Sequence, residues 1–476
     1  MSRGDLAALS LAEAGHLVRD RKLSPVEITD ACLAQIERLE PRLNAFITVT
    51  ADAARQAAKA RSDEVAAGTH IGPLHGLPVA IKDLFDVAGV RMTAGSRILA
   101  DNVATEDSEV AARLKAAGAV MLGKLNLHEF AFGATGVNPH HGPARNPWDP
   151  ERITGGSSSG SGAAVASGEC LAALGTDTGG SIRIPASLCG IVGLKPTYGR
   201  VSKRGVLPLS WALDHIGPMT RTVEDAALLI EVLAGHDPSD PSCADQPVPD
   251  YTRSLDGGVR GLRIGVPRRF FFESVDVEVE AAVRVAIKLI GEMGATVSEI
   301  DTPLIDEIPG ALTAIMLPEA LAIHQRWLNE RPDDYGDDVR YRLELGSTYL
   351  GVHYVQAQRL REMAVRAWRE EVFSQVDLIA SPTTPITAPL IEHAGGSTYA
   401  GGALQVTFSL IRFTNPLNFL GAPAISVPCG VSGEGLPIGL QLAGRWWNEE
   451  AVLRAAHAYE TATDWHKRRP PLAAAS

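Results

Sequence analysis

The sequence predicts an α/β protein in which a largely buried β-sheet is layered with helices. Short apolar segments at 78–81 and 119–122 have the length and composition of buried strands. Helical segments such as 108–117 and 277–293 lie between the predicted strands. This alternation of strands and helices is typical of a sheet covered by helices. Because no internal repeat or clear linker divides the 476 residues, we interpret 1–476 as one large domain.

The N-terminal part of the chain, 1–67, is predicted to be helical. Two helices begin with capping-box spacing, and Pro25 occupies the first position of the second helix, where proline is favoured. A third helix is predicted over 51–67. The two capping pairs are Ser10 with Glu13 and Ser24 with Glu27.

The rest of the domain is predicted as a core at 68–235 and a continuation at 236–476. A stretch rich in Pro, Asp and Ser at 237–261 is expected to be a surface excursion. The region 303–375 and the loop at 139–142 match no specific pattern, and both are candidates to line the substrate pocket, 303–375 as its variable substrate side. In chain order, the expected elements are strand 78–81, helix 108–117, strand 119–122, a helix starting near 163, strand 171–174, helix 222–235, strand 262–266, helix 277–293, strands 377–380 and 424–427, and helix 449–462.

Composition indicates a soluble globular protein with a large aliphatic core. Hydrophobic residues make up 45% of the chain and aromatic residues only 5%. The formal net charge of -12 argues against a general nucleic-acid-binding surface. Neither a signal peptide nor an apolar run long enough to span a membrane is found. The five cysteines are scattered without C-x-x-C spacing, which favours reduced thiols and a cytoplasmic location.

Two glycine-framed serine clusters, at 155–160 and 178–181, are the most informative feature of the sequence. Glycine leaves a neighbouring hydroxyl uncovered and lets several backbone N–H groups turn toward one point. A nucleophile with an oxyanion hole requires both properties. Such tracts are more often flexible linkers, but the first cluster leads into a small apolar helix at 163–166 and the second follows a buried strand at 171–174. The pattern therefore favours a tightly built site.

Lys82 directly follows the apolar strand at 78–81, so a rigid element presents its side chain. A lysine in such a position is more often a surface cap of the strand. If it is buried, desolvation lowers its pKa and the neutral amine can act as a base. Base activity near neutral pH requires a pKa lowered by roughly two to three units.

Other motifs in the sequence are weaker evidence for a functional site. The segment 156–160 fits the G-x-S-x-G elbow, but a loop and not a strand precedes it. The segment 118–124 resembles a P-loop but lacks its Ser or Thr. No metal-ligand spacing surrounds the histidines, and the pair at 140–141 is expected to be a solvated turn. A triad that uses His215, which follows Asp214, is left open, although adjacent residues point apart in a strand and do not pair simply.

Three longer motifs resemble the amidase signature family. They are Gly76–Asp83, Gly155–Ser161 and Gly175–Ala186, in that order along the chain. Further family landmarks occur at 146–148, 193–197, 217–219 and 436–441, so the resemblance covers essentially the whole chain. It implies one α/β domain with a mixed central β-sheet covered by helices.

The resemblance also implies roles for individual residues. Ser181 is expected to be the nucleophile, Ser157 the bridging serine after a cis peptide bond, and Lys82 the base. Ser158 is expected to give a supporting hydrogen bond. The backbone N–H groups of Thr178, Gly179, Gly180 and Ser181 are expected to form the oxyanion hole. Ala131 is assigned to the substrate-facing segment by position, and Asp177 with Arg183 are expected to form a structural ion pair.

The implied activity is hydrolysis of a linear amide through an acyl-enzyme, with no metal or organic cofactor. The expected partner is a small-molecule amide, with neither a membrane nor direct binding of nucleic acid, and a homodimer is left open. An alternative is the amidase subunit of a tRNA-dependent amidotransferase, which releases ammonia from glutamine. That subunit typically has glutamine where this chain has Ile184. Carbamate or urea-type substrates are a further alternative, and a non-catalytic binding protein is the least favoured.

Overall fold

The computed structural model describes residues 3–394 and 402–474. Its strands are β1 Phe46–Val49, β2 Pro78–Lys82, β3 Val120–Leu125, β4 Ala172–Asp177, β5 Val192–Lys195, β6 His215–Thr220, β7 Arg263–Pro267, β8 Thr296–Ile300, β9 Leu378–Pro382, β10 Ala424–Val431 and β11 Pro437–Gly444. Its α-helices are α1 Arg3–Ala7, α2 Leu11–Arg19, α3 Pro25–Leu43, α4 Ala51–Ala66, α5 Glu109–Ala116, α6 Ser159–Ser167, α7 Arg183–Cys189, α8 Val223–Leu233, α9 Tyr251–Ser254, α10 Val277–Glu292, α11 Ile308–Glu330, α12 Asp337–Gly346, α13 Gly351–Ala367, α14 Ile391–Ala394, α15 Gly402–Ile411, α16 Asn415–Leu420, α17 Glu449–Thr461 and α18 Pro471–Ala474.

All strands belong to one mixed sheet of 11 strands, in the order β1-β3-β2-β4-β6-β5-β10-β11-β9-β7-β8. The strands β3, β2 and β4 run parallel to one another, and so do β9, β7 and β8. The strands between these two groups pair antiparallel. The predicted α/β domain with a mixed central sheet covered by helices is confirmed.

The helix starts follow the capping chemistry of the sequence. In both α2 and α3, the serine at the N-cap accepts a backbone N–H, and a glutamate three residues later accepts the backbone N–H of that serine. These bonds satisfy N–H groups that have no partner within the helix. The two predicted capping boxes are therefore confirmed.

Every residue of strands β2, β4 and β6 is buried. One large apolar cluster packs α3, α6, α8, α10 and α17 against the sheet, and burial of its aliphatic side chains is the main driving force for this layer structure. The catalytic candidates at the ends of β2 and β4 are thus carried by the most rigid part of the fold. None of the described helices has the length and apolar character needed to cross a membrane.

The two regions with the least defined sequence patterns differ in structure. The region 303–375 forms α11, α12 and α13, which pack together against the core. The excursion at 237–261 is largely irregular apart from α9 and a short turn of 3₁₀-helix. The sequence of 303–375 does not show which residues face the core, because the helical periodicity of apolar residues is weak in α11 and Pro318 lies inside this helix.

Candidate active site

Lys82 is the last residue of β2, between the parallel neighbours β3 and β4, and its side chain is 0% exposed. Its ammonium nitrogen Nζ lies 2.7 Å from Oγ of Ser157 and 2.8 Å from Oγ1 of Thr176. A surface cap of the strand is therefore excluded for this lysine. The strand delivers the amine to two hydroxyl groups inside the protein.

Burial lowers the pKa of Lys82 to about 7, although the carboxylates of Asp214 and Asp177 act in the opposite direction. Desolvation disfavours the charged form of an amine, and here it outweighs the attraction of the two acids. Roughly half of the Lys82 side chains are then neutral near pH 7. A neutral amine in contact with a hydroxyl group can accept its proton.

Ser157 lies in the tight turn that precedes α6. The peptide bond between Gly156 and Ser157 is cis, as the resemblance implied. The N–H of Gly156 donates to the carbonyl of Ala134 at 2.7 Å, and the carbonyl of Ser157 accepts the N–H of His128 at 3.1 Å. These bonds fix the turn so that the Ser157 hydroxyl faces Lys82.

Ser158 supports the turn from the other side. Its hydroxyl donates to the carbonyl of Thr176 at 3.2 Å and accepts the N–H of the same residue at 3.3 Å. The supporting hydrogen bond expected of Ser158 is present, and it ties the turn to strand β4.

Ser181 follows β4 in the loop before α7, and it is 8% exposed. The N–H of Ser158 donates to the carbonyl of Ser181 at 3.3 Å, which joins the two serine clusters through the backbone. The hydroxyl groups of Ser157 and Ser181 are not hydrogen-bonded to each other among the described contacts. The structure thus brings Lys82 and Ser157 into contact and holds Ser181 next to their turn.

Asp177 and Arg183 form the ion pair expected from the sequence, with Nη2 of Arg183 3.0 Å from Oδ1 of Asp177 and both side chains 0% exposed. The guanidinium holds the pKa of Asp177 well below its usual range against the effect of burial. Arg183 also donates to Gln441 at 2.7 Å and to Asn418 at 2.6 Å. The ion pair therefore anchors the nucleophile loop to β11 and α16.

We expect Arg183→Gln to lower the free energy of unfolding by about 3–5 kcal/mol, because it leaves the Asp177 carboxylate buried without its counter-charge. Urea denaturation followed by circular dichroism measures this loss. Arg268→Gln is the control, since Arg268 is half exposed and its ion pairs with Glu299 and Asp301 are on the surface. Equal stabilities for the two variants would contradict the anchoring role.

The predicted oxyanion hole needs one correction. The N–H of Gly180 donates to Oδ1 of Asp177 at 2.8 Å, so this amide is occupied and is not a donor to substrate. The amides of Thr178, Gly179 and Ser181 donate to no other described residue. Sequence spacing could not separate these four amides, because their orientation depends on the Asp177 side chain. Three of the four predicted amides therefore remain candidates for an oxyanion hole.

Gly180 retains a structural role in the loop. Its φ of +134° is accessible mainly to glycine, and a Cβ there would lie 2.1 Å from Oγ1 of Thr414. The Thr414 hydroxyl donates to the carbonyl of Gly179 at 2.6 Å. The loop is thus pressed against the segment that leads into α16.

A cavity of about 180 Å³ opens beside Ser181, and we refer to it as the acyl cavity. Ala131, Thr178 and Gly179 line it, as expected from the sequence, whereas residues 139–142 do not. Two helices of the expected substrate-side region 303–375, α11 and α12, form its apolar wall together with α15. The individual lining residues could not be identified from sequence. The apolar lining residues include Leu312, Met316, Leu317, Leu345, Phe408 and Ile411.

Three alternative motifs have other partners. The Lys124 ammonium of the P-loop-like segment is paired with Asp83 at 2.8 Å, and both are buried. His128 binds Asp338, and His140 binds the buried Glu129, each at 2.8 Å. The expectation of a solvated turn at 140–141 is therefore wrong for His140, because Glu129 draws it inward.

Asp214 and His215 also lack the geometry of a catalytic pair. The Asp214 carboxylate accepts a hydrogen bond from Thr178 at 2.6 Å, and Nδ1 of His215 lies 2.7 Å from the carbonyl of Leu213. The two side chains thus bind different partners, as strand alternation predicts.

Thr176 is a functional candidate that the sequence reasoning did not single out. A neutral Lys82 amine has two N–H groups and one lone pair, and donation to Thr176 leaves the lone pair for Ser157. Only its location inside the motif 175–186, near the end of β4 and two positions before Thr178, could have indicated this role.

We expect Thr176→Val to lower kcat about tenfold, since it removes the hydrogen bond that orients the Lys82 amine. The rise of kcat/KM with pH should also shift to lower pH, because the Lys82 ammonium loses a hydrogen-bond acceptor and its pKa falls. Steady-state kinetics over a pH series measures both effects. Thr176→Ser keeps the acceptor and should retain the wild-type profile; an unchanged profile in the valine variant would count against orientation by Thr176.

Comparisons with known proteins agree with this geometry. A family model described as Amidase matches residues 27–453. One relative, a subunit of glutamyl-tRNA(Gln) amidotransferase from Roseiflexus sp. (strain RS-1), is 45% identical over 494 residues, covering 98% of this chain and 99% of the relative. An amidase from Pseudomonas putida is 46% identical over 468 residues, covering 98% of each chain.

Solved structures show the same fold. One is described as a vestigial protein complex that reveals the evolutionary origins of an s-triazine catabolic enzyme, in an inhibitor-bound form. It superimposes with a TM-score of 0.90 at 37% sequence identity, and the match covers 95% of this chain and 98% of that chain.

Proposed function

Because this chain belongs to the amidase family, we propose that it hydrolyses a linear amide through an acyl-enzyme on Ser181. In this proposal Ser157 is the bridging serine and Lys82 is the base. The products are a carboxylic acid and ammonia or an amine. The chemistry of these residues requires neither a metal nor an organic cofactor.

The reaction begins with transfer of two protons. The Ser181 oxygen attacks the carbonyl carbon while its proton passes to Ser157, and the proton of Ser157 passes to the Lys82 amine. The carbonyl oxygen becomes an oxyanion that accepts hydrogen bonds from the amides of Thr178, Gly179 and Ser181, each worth about 2.7–4 kcal/mol of barrier lowering. Contact between the two serine hydroxyls is a step expected on substrate binding.

Collapse of the tetrahedral intermediate breaks the carbon–nitrogen bond. The proton held by Lys82 returns through Ser157 to the leaving nitrogen, which departs as a neutral amine. Water then attacks the ester on Ser181, and the same relay takes up the proton of the water and returns it to Ser181. Charge and protons balance at each step, and the enzyme regains its initial state.

One observation carries this proposal: the buried Lys82 amine, with its pKa lowered to about 7, lies 2.7 Å from the Ser157 hydroxyl. Buried Lys124, by contrast, is paired with the carboxylate of Asp83. The partners of Lys82 are two neutral hydroxyl groups. This environment favours exchange of a proton over storage of a charge.

The acyl cavity favours an apolar acyl group over glutamine. A free amino acid carries an ammonium and a carboxylate, and burying each without a partner is costly. Arg342 is the only charged residue among the described lining residues, and its guanidinium already pairs with Asp338 at 3.3 Å. The described wall thus contains no carboxylate to bind an α-ammonium group.

The second candidate is the glutaminase subunit of a tRNA-dependent amidotransferase, and the relative at 45% identity supports it. The two functions differ in their dependence on partners. Glutaminase activity that requires added partner subunits would favour the amidotransferase, whereas hydrolysis of apolar amides by the isolated chain would favour a free-standing amidase. Carbamates and urea-type compounds belong in the same substrate panel, because the same attack suits any acyl–nitrogen bond.

Covalent labelling tests the acyl-enzyme directly. A serine-directed fluorophosphonate should modify the protein once, and peptide mass spectrometry should locate the label on Ser181. Pretreatment with a slow amide substrate should protect the site. A label on another serine, or an active protein that resists labelling, would overturn the mechanism.

A further inference from the structure

A second cavity of about 620 Å³ lies on the other side of Ala131 and Thr178 from the acyl cavity, and we refer to it as the polar cavity. Ala131, Thr178 and Leu209 line both cavities and therefore form the boundary between them. Ser181 lines the acyl cavity, and Thr176 lines the polar cavity. The two cavities thus flank the reacting centre from opposite sides.

The position of the proton relay distinguishes the two cavities. In the proposed mechanism, on which this inference rests, the leaving nitrogen must face the group that returns its proton. Lys82 binds Thr176 at 2.8 Å, and Thr176 lines the polar cavity but not the acyl cavity. The leaving amine therefore belongs on the side of the polar cavity, and the acyl group belongs in the apolar cavity opposite.

Lys203 provides a cation on the wall of the polar cavity. Its Nζ donates to the carbonyl of Trp211 at 2.7 Å and to the hydroxyl of Tyr198 at 3.0 Å, and it lies 4.3 Å from the centre of the Tyr198 ring. All of these partners are neutral, and no described carboxylate forms an ion pair with Lys203. One N–H of the ammonium remains for a ligand.

The other charges of the polar cavity are already engaged. Arg204 pairs with Glu109 and Asp237. Asp214 accepts hydrogen bonds from Thr178 and from two backbone amides, and Asp240 accepts the backbone N–H of Lys203 and the Ser242 hydroxyl. Lys203 is thus the charged group of this cavity that is best placed to select a ligand.

We propose that the polar cavity is the leaving-group subsite and that Lys203 selects amines that carry a carboxylate. The substrate class is then an N-acyl amino acid with an apolar acyl chain. Asp214 and Asp240 attract Lys203 from a distance, and a carboxylate on the leaving amine supplies the direct ion-pair contact that it lacks among the described residues. A charge-assisted hydrogen bond is stronger than a neutral one. The acyl chain fills the acyl cavity.

Matched substrates test this assignment. N-hexanoylglycine and N-hexanoylglycinamide share one acyl group and differ in the charge of the leaving amine. We expect the wild type to prefer the glycine compound by about tenfold in kcat/KM, and Lys203→Gln to remove that preference mainly by raising KM for the charged substrate. Lys203→Arg keeps the charge and should retain most of the preference. Lys288→Gln, at a lysine whose side chain is 78% exposed, is the surface control.

A third substrate tests which cavity holds which group. N-propyl succinamate carries its carboxylate on the acyl side, so Lys203→Gln should leave its kcat/KM unchanged. A Lys203-dependent preference for this compound would reverse the assignment of the cavities and overturn the inference. The inference would also be overturned if Lys203→Gln lowered kcat/KM equally for both hexanoyl substrates. The same holds if this variant kept a wild-type melting curve and lost kcat/KM on neither substrate. Failure of the proposed function itself is distinguishable, because then no amide is hydrolysed and fluorophosphonate does not label Ser181.

Discussion

Replacing Ser181 with alanine is expected to reduce amide hydrolysis by about 10⁴-fold or more and to abolish labelling by fluorophosphonate. The hydroxyl that forms the acyl-enzyme is missing in this variant, while the oxyanion donors and the acyl cavity remain. The variant should therefore still bind a substrate analogue with nearly unchanged affinity. Single-turnover kinetics and isothermal titration calorimetry measure the two effects separately.

The matched control for this variant is Ser161→Ala. Ser161 lies in α6 directly after the other serine cluster, is also buried, and donates a hydroxyl hydrogen bond to the carbonyl of Leu174 at 3.0 Å. Its loss should cost about 1 kcal/mol of stability and change kcat only a few-fold. Comparable losses of activity in the two variants would indicate that the effect of Ser181→Ala comes from packing. This result would contradict the proposed mechanism.

Lys82→Met is expected to lower kcat/KM by about 10³-fold, because the variant keeps the apolar stem but removes the base. In the wild type, kcat/KM should rise with pH through about 7, where the Lys82 ammonium loses its proton. The variant should lose this rising limb along with its activity. Initial rates between pH 5 and 9 measure both effects. If kcat/KM of the variant still rose with pH as in the wild type, the titrating group would be one other than Lys82.

The same substitution is expected to stabilise the fold. The pKa of Lys82 is about 7 in the folded protein and near 10.5 when unperturbed, so the unfolded chain binds more protons between these values. Stability contributed by this group therefore rises with pH from about 7 to 10.5, and burial of the amine is unfavourable below that window. We expect Lys82→Met to raise the free energy of unfolding at pH 7 by about 1–4 kcal/mol. The gain should shrink toward pH 10.

Much of the site could be predicted from sequence because its chemistry is local. The apolar run before Lys82 predicts a strand, and its end is the point from which a side chain leaves the sheet. The glycines around Ser157 and Ser181 indicate turns in which hydroxyls and amides lie uncovered. Asp177 and Arg183 are six residues apart, and their pairing follows from the turn between them.

The remaining features depend on contacts between distant parts of the chain. The Gly180 amide binds Asp177 because of one side-chain orientation that spacing does not specify. The acyl cavity takes its wall from α11, α12 and α15, and each of these helices could be identified as amphipathic or apolar only after its neighbours were known. Lys203 becomes a specificity candidate only because a loop brings Trp211 and Tyr198 to it.

The central strands of the sheet have a consequence for synthesis of the protein. Strand β5 pairs with β10, and Arg183 is held by Gln441 of β11, so the middle of the sheet is completed only after residues far downstream of β5 have been synthesised. Until then the nascent chain presents an unpaired apolar strand edge, a surface prone to association. Fragments that end before β10 should therefore be inactive and dependent on chaperones, although every catalytic candidate has already been translated.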